Sequence, residues 1–218
     1  MVVFYSRKPE QSKAIQAFCD SRGFQLLAEP FIAFESVAFT TENLEHEIVF
    51  FTSPRSFDFY VSQEKINEDI ALACIGHSTQ KHVESFGYIT AFVGSQSNKP
   101  KVVAEEFKSW LGQRKVLFPI SNISNQTIQA VLPNNQFHEI VVYKTLLLDK
   151  KLDLQPDVLI FTSPSNAKAY LKNQEIDSQK KVACFGQTTG DFLISKKITH
   201  TTLETTDEAG VIKYLEQL

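Results

Sequence analysis

Thr52-Ser53-Pro54 and Thr162-Ser163-Pro164 each close an apolar run, in "IVFFTSPRSFDFY" (48–60) and "VLIFTSPSNAKAY" (158–170). Serine followed by proline fits the N-cap and first position of a helix. Such a helix end presents free N–H groups and partial positive charge, which suit a carboxylate or a phosphate. The same chemistry recurs along the chain. "LACIGHSTQ" (72–80) and "VACFGQTTG" (182–190) bring Gly76 and Gly186, where a missing side chain lets a ligand approach the backbone. Ser78, Thr79, Thr188 and Thr189 follow, placed to cap the next helices. "FVGSQS" adds Gly94 and Ser95, "FPISNIS" adds Ser121 and Ser124, and "VFYSRK" adds Ser6 and Arg7. Capping alone would account for any one of these hydroxyls. Two sets in phase point further, to a polyanionic ligand held between two domains.

The phase comes from an internal repeat. Phe51 and Phe161, Gly76 and Gly186, and Ala73-Cys74 and Ala183-Cys184 all lie 110 positions apart. "YITAFVG" (88–94) lies against "ITHTTLE" (198–204) in the same phase. A unit this long reads as a duplicated domain, because a solenoid needs three or more short repeats. "EIVFFTS" and "DVLIFTS" are short apolar runs rich in β-branched and aromatic residues, as in buried parallel strands. "VVAEEFKSWL" (102–111) and "AGVIKYLEQL" (209–218) have helical periodicity. The unit therefore reads as alternating strands and helices.

A second similarity explains the ends. "VVFYSRKPEQSKAIQAF" (2–18) is similar to "VLFPISNISNQTIQAVL" (116–132), and both lead into extended segments. One domain inserted into another is the economical reading. Residues 1–35 and 150–218 form a discontinuous α/β domain, and residues 38–142 form an inserted one. Extended linkers cross near 35–39 and 143–150 and can pair as two strands. In such parallel sheets ligands bind beyond the carboxyl ends of the strands, which is where the hydroxyls lie.

Composition narrows the function. The 218 residues suit two domains of about 100. With 25 acids, 22 bases and a net charge of −3, the basic stripe of a nucleic-acid protein is missing. Three cysteines without a CxxC pair suit reduced thiols and a cytoplasmic setting. "MVVFYSRKPE" is too short an apolar run for a secretory signal, and no run approaches a membrane span. No phosphate-binding P-loop, dinucleotide fingerprint, metalloprotease His pair or serine-hydrolase elbow occurs. His77 and His82 lack zinc-ligand spacing. Cys74 and Cys184, at matched positions, read as small core hydrophobes. Carboxylates at strand ends are few, which disfavours a paired-acid mechanism. Tyr143, in "EIVVYKT", stands where the second crossing begins and by itself reads as a packed aromatic.

Taken in order, "FYSRKPEQ", "FFTSPRS", "CIGHSTQ", "VVYKT", "LIFTSPSN" and "VACFGQTT" resemble the uroporphyrinogen-III synthase family over essentially the whole chain. That resemblance implies two flavodoxin-like domains with parallel sheets and a two-stranded linker. It implies closure of hydroxymethylbilane, a linear tetrapyrrole octacarboxylate, with inversion of the last ring, loss of water and no cofactor or metal. By that resemblance Arg7, Ser53, Thr79, Lys181 and Thr188 would line the interdomain cleft; the strand-end reading of the residues adds Gly76, Ser78, Gly94, Ser95, Ser163 and Gly186 to the substrate-binding set. Tyr143 would face the ligand and act as the acid. "GQTT" stands where relatives often have a proline, and Lys8 separates Arg7 from Pro9. The resemblance further implies a cytoplasmic monomer that receives substrate by transient handover from hydroxymethylbilane synthase, with no nucleic acid and no membrane. The competing class is a non-catalytic two-domain protein that binds small anions.

Overall fold

A computed structural model describes residues 1–218. The chain divides into two compact units, Met1–Ala33 with Leu146–Leu218, and Phe34–Thr145.

The first unit is a five-stranded parallel sheet. Its strands are β1 (Val2–Tyr5), β2 (Gln25–Ala28), β9 (Val158–Phe161), β10 (Lys181–Phe185) and β11 (Thr201–Leu203), in spatial order β2-β1-β9-β10-β11. Helices α1 (Lys13–Ser21) and α7 (Glu208–Leu215) cover one face. Helices α5 (Pro164–Asn173) and α6 (Gly186–Ser195) cover the other. Alternation in β9 sets this up. Val158 and Ile160 are buried with α1 and α7, and Leu159 and Phe161 with α5 and α6. A strand buried on both faces reads as a continuous apolar run, which is why no polar residue interrupts "VLIF".

The second unit contains β4 (Ile48–Phe51), β5 (Ala71–Cys74), β6 (Thr90–Val93), β7 (Val116–Ser121) and β8 (Phe137–Leu147), with β3 (Ile32–Ser36) at the edge. Its spatial order is β3-β8-β7-β4-β5-β6. Helices α2 (Pro54–Val61) and α3 (His77–Ser85) cover one face, and α4 (Pro100–Leu111) the other.

Renumbered from β1 in the first unit and from β7 in the second, both five-stranded cores read 2-1-3-4-5, the flavodoxin-like order. The second unit enters this order at its third strand and finishes with its first two. The sequence repeat has the same cause: β4 and β5 correspond to β9 and β10, and β7 and β8 correspond to β1 and β2. The passage from one unit to the other falls within β3 and β8, which are hydrogen-bonded neighbours.

The duplicated Thr-Ser-Pro ends behave as their residue types dictate. Ser56 N donates to Ser53 Oγ at 3.1 Å and Ser53 N to Ser56 Oγ at 3.3 Å, a reciprocal capping pair at the start of α2. Asn166 N donates to Ser163 Oγ at 3.3 Å at the start of α5. Pro54 and Pro164 fill the first helical position. Cys19, Cys74 and Cys184 are buried free thiols.

Candidate active site

In each unit the strand order reverses direction between two central strands, β1 and β9 in the first and β7 and β4 in the second. Ligands of such sheets bind outside the carboxyl ends at that point. In the first unit the point is stitched by hydroxyls. Thr162 N donates to Ser6 Oγ at 2.8 Å, and Thr162 Oγ1 donates to the Ser6 carbonyl at 3.2 Å. Arg7 follows, its guanidinium 5.3 Å from the centroid of the Phe185 ring at the end of β10. The Ser163 cap lies at the same edge.

The next β–α turn is duplicated. Gly76 is the N-cap of α3 and Gly186 is the first residue of α6, and neither helix has a side-chain hydrogen bond at its cap. Ser78, Thr79, Thr188 and Thr189 lie inside the first turns, so the expectation that they cap these helices is corrected. The chain enters the helix at or directly after the glycine, before any of these hydroxyls could occupy the cap position. The first-turn N–H groups are thus left without a capping side chain in both units.

Successive helical residues point about 100° apart, and this separates the hydroxyls. Ser78 and Thr188 are exposed, whereas Thr79 and Thr189 are buried. Thr79, at 3% exposure, therefore does not line an open edge, and Ser78 is the matched partner of Thr188. The two glycines differ as well. Gly186 has φ +66° and nothing within 4 Å of where a Cβ would stand. Gly76 is extended, and a Cβ there would lie 2.6 Å from Ser97 Cβ. Its missing side chain makes room for Ser97, not for a ligand.

Three further positions are corrected by their surroundings. Gly94 is required by packing: a Cβ would meet the Ile75 carbonyl at 2.4 Å and Val103 at 2.5 Å. Ser95 is already engaged, because its N–H donates to Glu106 Oε2 at 3.1 Å and its hydroxyl donates to Glu106 Oε1. These bonds, the hydroxyl's first, hold the Glu106 carboxyl below the usual carboxylate range. Lys181 is the first residue of β10, opposite Val158 at the start of β9. It stands at the amino end of the strand, the length of β10 (about 13 Å) from the carboxyl edge.

Tyr143 is brought to the carboxyl edge of the second sheet. It pairs with Ser121, the last residue of β7. It is 7% exposed, stacks on Phe59 with centroids 4.9 Å apart and planes 15° apart, and meets Phe34 edge-on at 5.9 Å. The Arg55 guanidinium lies 3.6 Å from the Phe34 centroid. Phe34, Phe59 and Arg55 are thus tied to Tyr143, and sequence reasoning missed all three. The signal available was the arginine directly after Thr-Ser-Pro. Ser121 and Ser124 bond each other through their hydroxyls at 3.0 Å, closing the turn after β7.

No group of three or more His, Cys, Asp or Glu side chains is arranged to hold a metal ion, and no helix is long and apolar enough to cross a membrane.

Two flavodoxin-like units with hydroxyls and open helix N-termini at their strand ends define a class of duplicated α/β protein. The family model described as uroporphyrinogen-III synthase HemD matches residues 13–213. The chain belongs to the uroporphyrinogen-III synthase family, whose members are cofactor-independent cyclases of tetrapyrrole synthesis.

Solved structures agree in fold. The uroporphyrinogen-III synthetase of Helicobacter pylori superposes with a TM-score of 0.73 at 18% identity, over 99% of this chain and 98% of that one. A mutant uroporphyrinogen III synthase from the extremely thermophilic bacterium Thermus thermophilus gives 0.66 at 12% identity, over 100% and 97%. No match is found among curated proteins.

Proposed function

We propose that this protein closes hydroxymethylbilane to uroporphyrinogen III, inverting ring D and releasing water. The observation that carries the reading is the family match over residues 13–213. The strand ends support it. A substrate with eight carboxylates needs many weak anion contacts, and helix N-termini with hydroxyls provide them. Arg7, Ser53, Ser78, Ser163, Gly186 and Thr188 are the groups we assign to those carboxylates.

Loss of the terminal hydroxyl is driven by the adjacent pyrrole nitrogen, whose electron pair expels the oxygen and leaves an azafulvene cation. A phenol has a reference pKa of about 10 and so carries a proton to give at neutral pH. We assign that donation to Tyr143, and the proton leaves with the oxygen as water. The cation is attacked by the substituted carbon of the last ring, forming a spiro intermediate that fragments and recloses inverted. The protein's principal contribution is a single folded geometry of the chain of pyrroles. Without it the same cation closes uninverted. The three buried free thiols support a cytoplasmic setting. Action as a monomer and handover of substrate from hydroxymethylbilane synthase belong to the same reading.

A coupled assay tests this. Hydroxymethylbilane is generated in situ, the protein is added, and the oxidised uroporphyrin isomers are separated. A shift from isomer I to isomer III is expected. Isomer I alone, with the linear tetrapyrrole bound and recovered unchanged, would favour the non-catalytic anion-binding protein.

A further inference from the structure

Helices α5 and α6 pack side by side on the first sheet, and a groove of about 550 Å³ opens beside their carboxyl-terminal halves. It lies toward the amino ends of the strands, on the far edge of that sheet from Ser6, Ser163 and Gly186. Leu171, Ile176, Phe192 and Ile198 give it an apolar floor, and the exposed lysines Lys168, Lys172 and Lys196 surround it against one acid, Glu175. Gln174 also lines it, and both polar atoms of its amide are shielded from water without a hydrogen-bond partner. An orphaned buried amide is costly, and native proteins rarely leave one without a reason.

The repeat supplies a control within the same molecule. Asp58, Val61, Ser62, Phe86 and Tyr88 occupy the positions equivalent to Lys168, Leu171, Lys172, Lys196 and Ile198, and they line a groove of the same volume in the second unit. The fold makes both grooves. What the first unit adds is positive charge, where the second has Asp58, and an unpartnered amide, with Glu64 at the position equivalent to Gln174. Lysines near helix carboxyl ends also complement the helix dipole, but the dipole explains neither Lys168 in mid-helix nor the amide.

We propose that the α5–α6 groove is a binding site for a small amphipathic carboxylate. The ligand has an apolar ring for Phe192 and Ile198, a carboxylate for the lysines, and a hydroxyl that pairs with Gln174 once that side chain turns toward the groove. The volume falls in the usual range for small-molecule sites, roughly 300–1,000 Å³. The proposal is independent of the cyclase reading.

The test is a titration of the full chain with 3-hydroxy-2-naphthoate, followed by amide NMR. One saturable site is expected, with the Gln174 side-chain resonances shifting. Binding should weaken tenfold or more in a Lys172→Glu/Lys196→Glu variant, and uncharged 2-naphthol should bind at least tenfold more weakly than the carboxylate. Absence of saturation would overturn the proposal. So would binding that survives the double variant, or shifts confined to Val61, Phe86 and Tyr88. Isomer III formation should be unchanged in the double variant.

Discussion

Tyr143 stands opposite Ser121 one residue out of the register that the rest of β7 and β8 keep. Val116 through Ile120 pair with Phe137 through Val141 in step, and then Val142 is skipped. The extra residue is a β-bulge, a device common beside active sites because it re-aims a side chain. Strict alternation would send Val142 and Tyr143 to opposite faces. Both are instead buried in the α2–α3 layer. The bulge thus turns Tyr143 toward Phe59.

Tyr143→Phe removes the phenol while keeping the stacked ring. The turnover number should fall about 10- to 100-fold with KM nearly constant, because the pyrrole nitrogen drives departure and a weak acid only assists. The thermal midpoint should stay within a few degrees. An unchanged rate in the coupled assay would remove the tyrosine from the acid role.

Substrate binding should weaken with salt. Screening shortens the reach of charge from about 10 Å at 0.1 M to about 3 Å at 1 M. KM for the bilane should therefore rise several-fold across that range, while isomer III remains the product. A flat KM would contradict carboxylate recognition at the strand ends.

The duplicated caps can be compared directly. Ser163→Ala should cost about 1 kcal/mol. Ser53→Ala should cost more, because it breaks the reciprocal pair with Ser56. Urea unfolding measures both. A rise in KM beyond that of Ser56→Ala would identify Ser53 as a substrate contact.

Alkaline pH should loosen the fold. Burial pushes the Cys74 thiol up from 9.0 to about 12, and Tyr60 and Tyr170 up from 10.0 to about 12. The neutral forms are favoured in the native state, so the native state binds more protons than the unfolded chain above pH 9. Their contribution is complete below pH 9 and is lost as pH climbs toward 12. Urea midpoints at pH 8, 10 and 11 should fall in that order. Cys74→Ala should reduce the earliest part of the fall, the remainder coming from Cys19 and Cys184, whose thiols burial also pushes up.

The alternation of strands and helices and the Thr-Ser-Pro caps were legible because both depend on local pattern, an apolar run and the residues that end it. The repeat extended this to an inserted domain closed by a β–α–β unit like the one that opens the chain; the order of strands within each sheet came only with the structure. What stayed hidden depends on partners distant in sequence. Glu106 claims Ser95 from a helix eleven residues on, and Ser97 fills the space at Gly76. Lys181 looked like a site residue by motif, yet it begins its strand instead of ending it. Thr79 and Ser78 are adjacent letters of one type, and only the helical rotation separates buried from exposed. The bulge at Val142 leaves no local mark, since a valine fits a strand with or without one.

The interrupted first unit also sets a timetable. Ser6 must wait for Thr162, 156 residues later, before β1 acquires its second neighbour. At ribosomal speeds of about 5–20 residues per second, that delay is on the order of 10 s. Phe34–Thr145 leaves the ribosome as one continuous piece and can complete its sheet during the delay. Newly made chains are then part finished and part waiting, with the apolar strand "VVFY" unpaired on its β9 side. An unpaired apolar strand edge is a template on which another chain can pair.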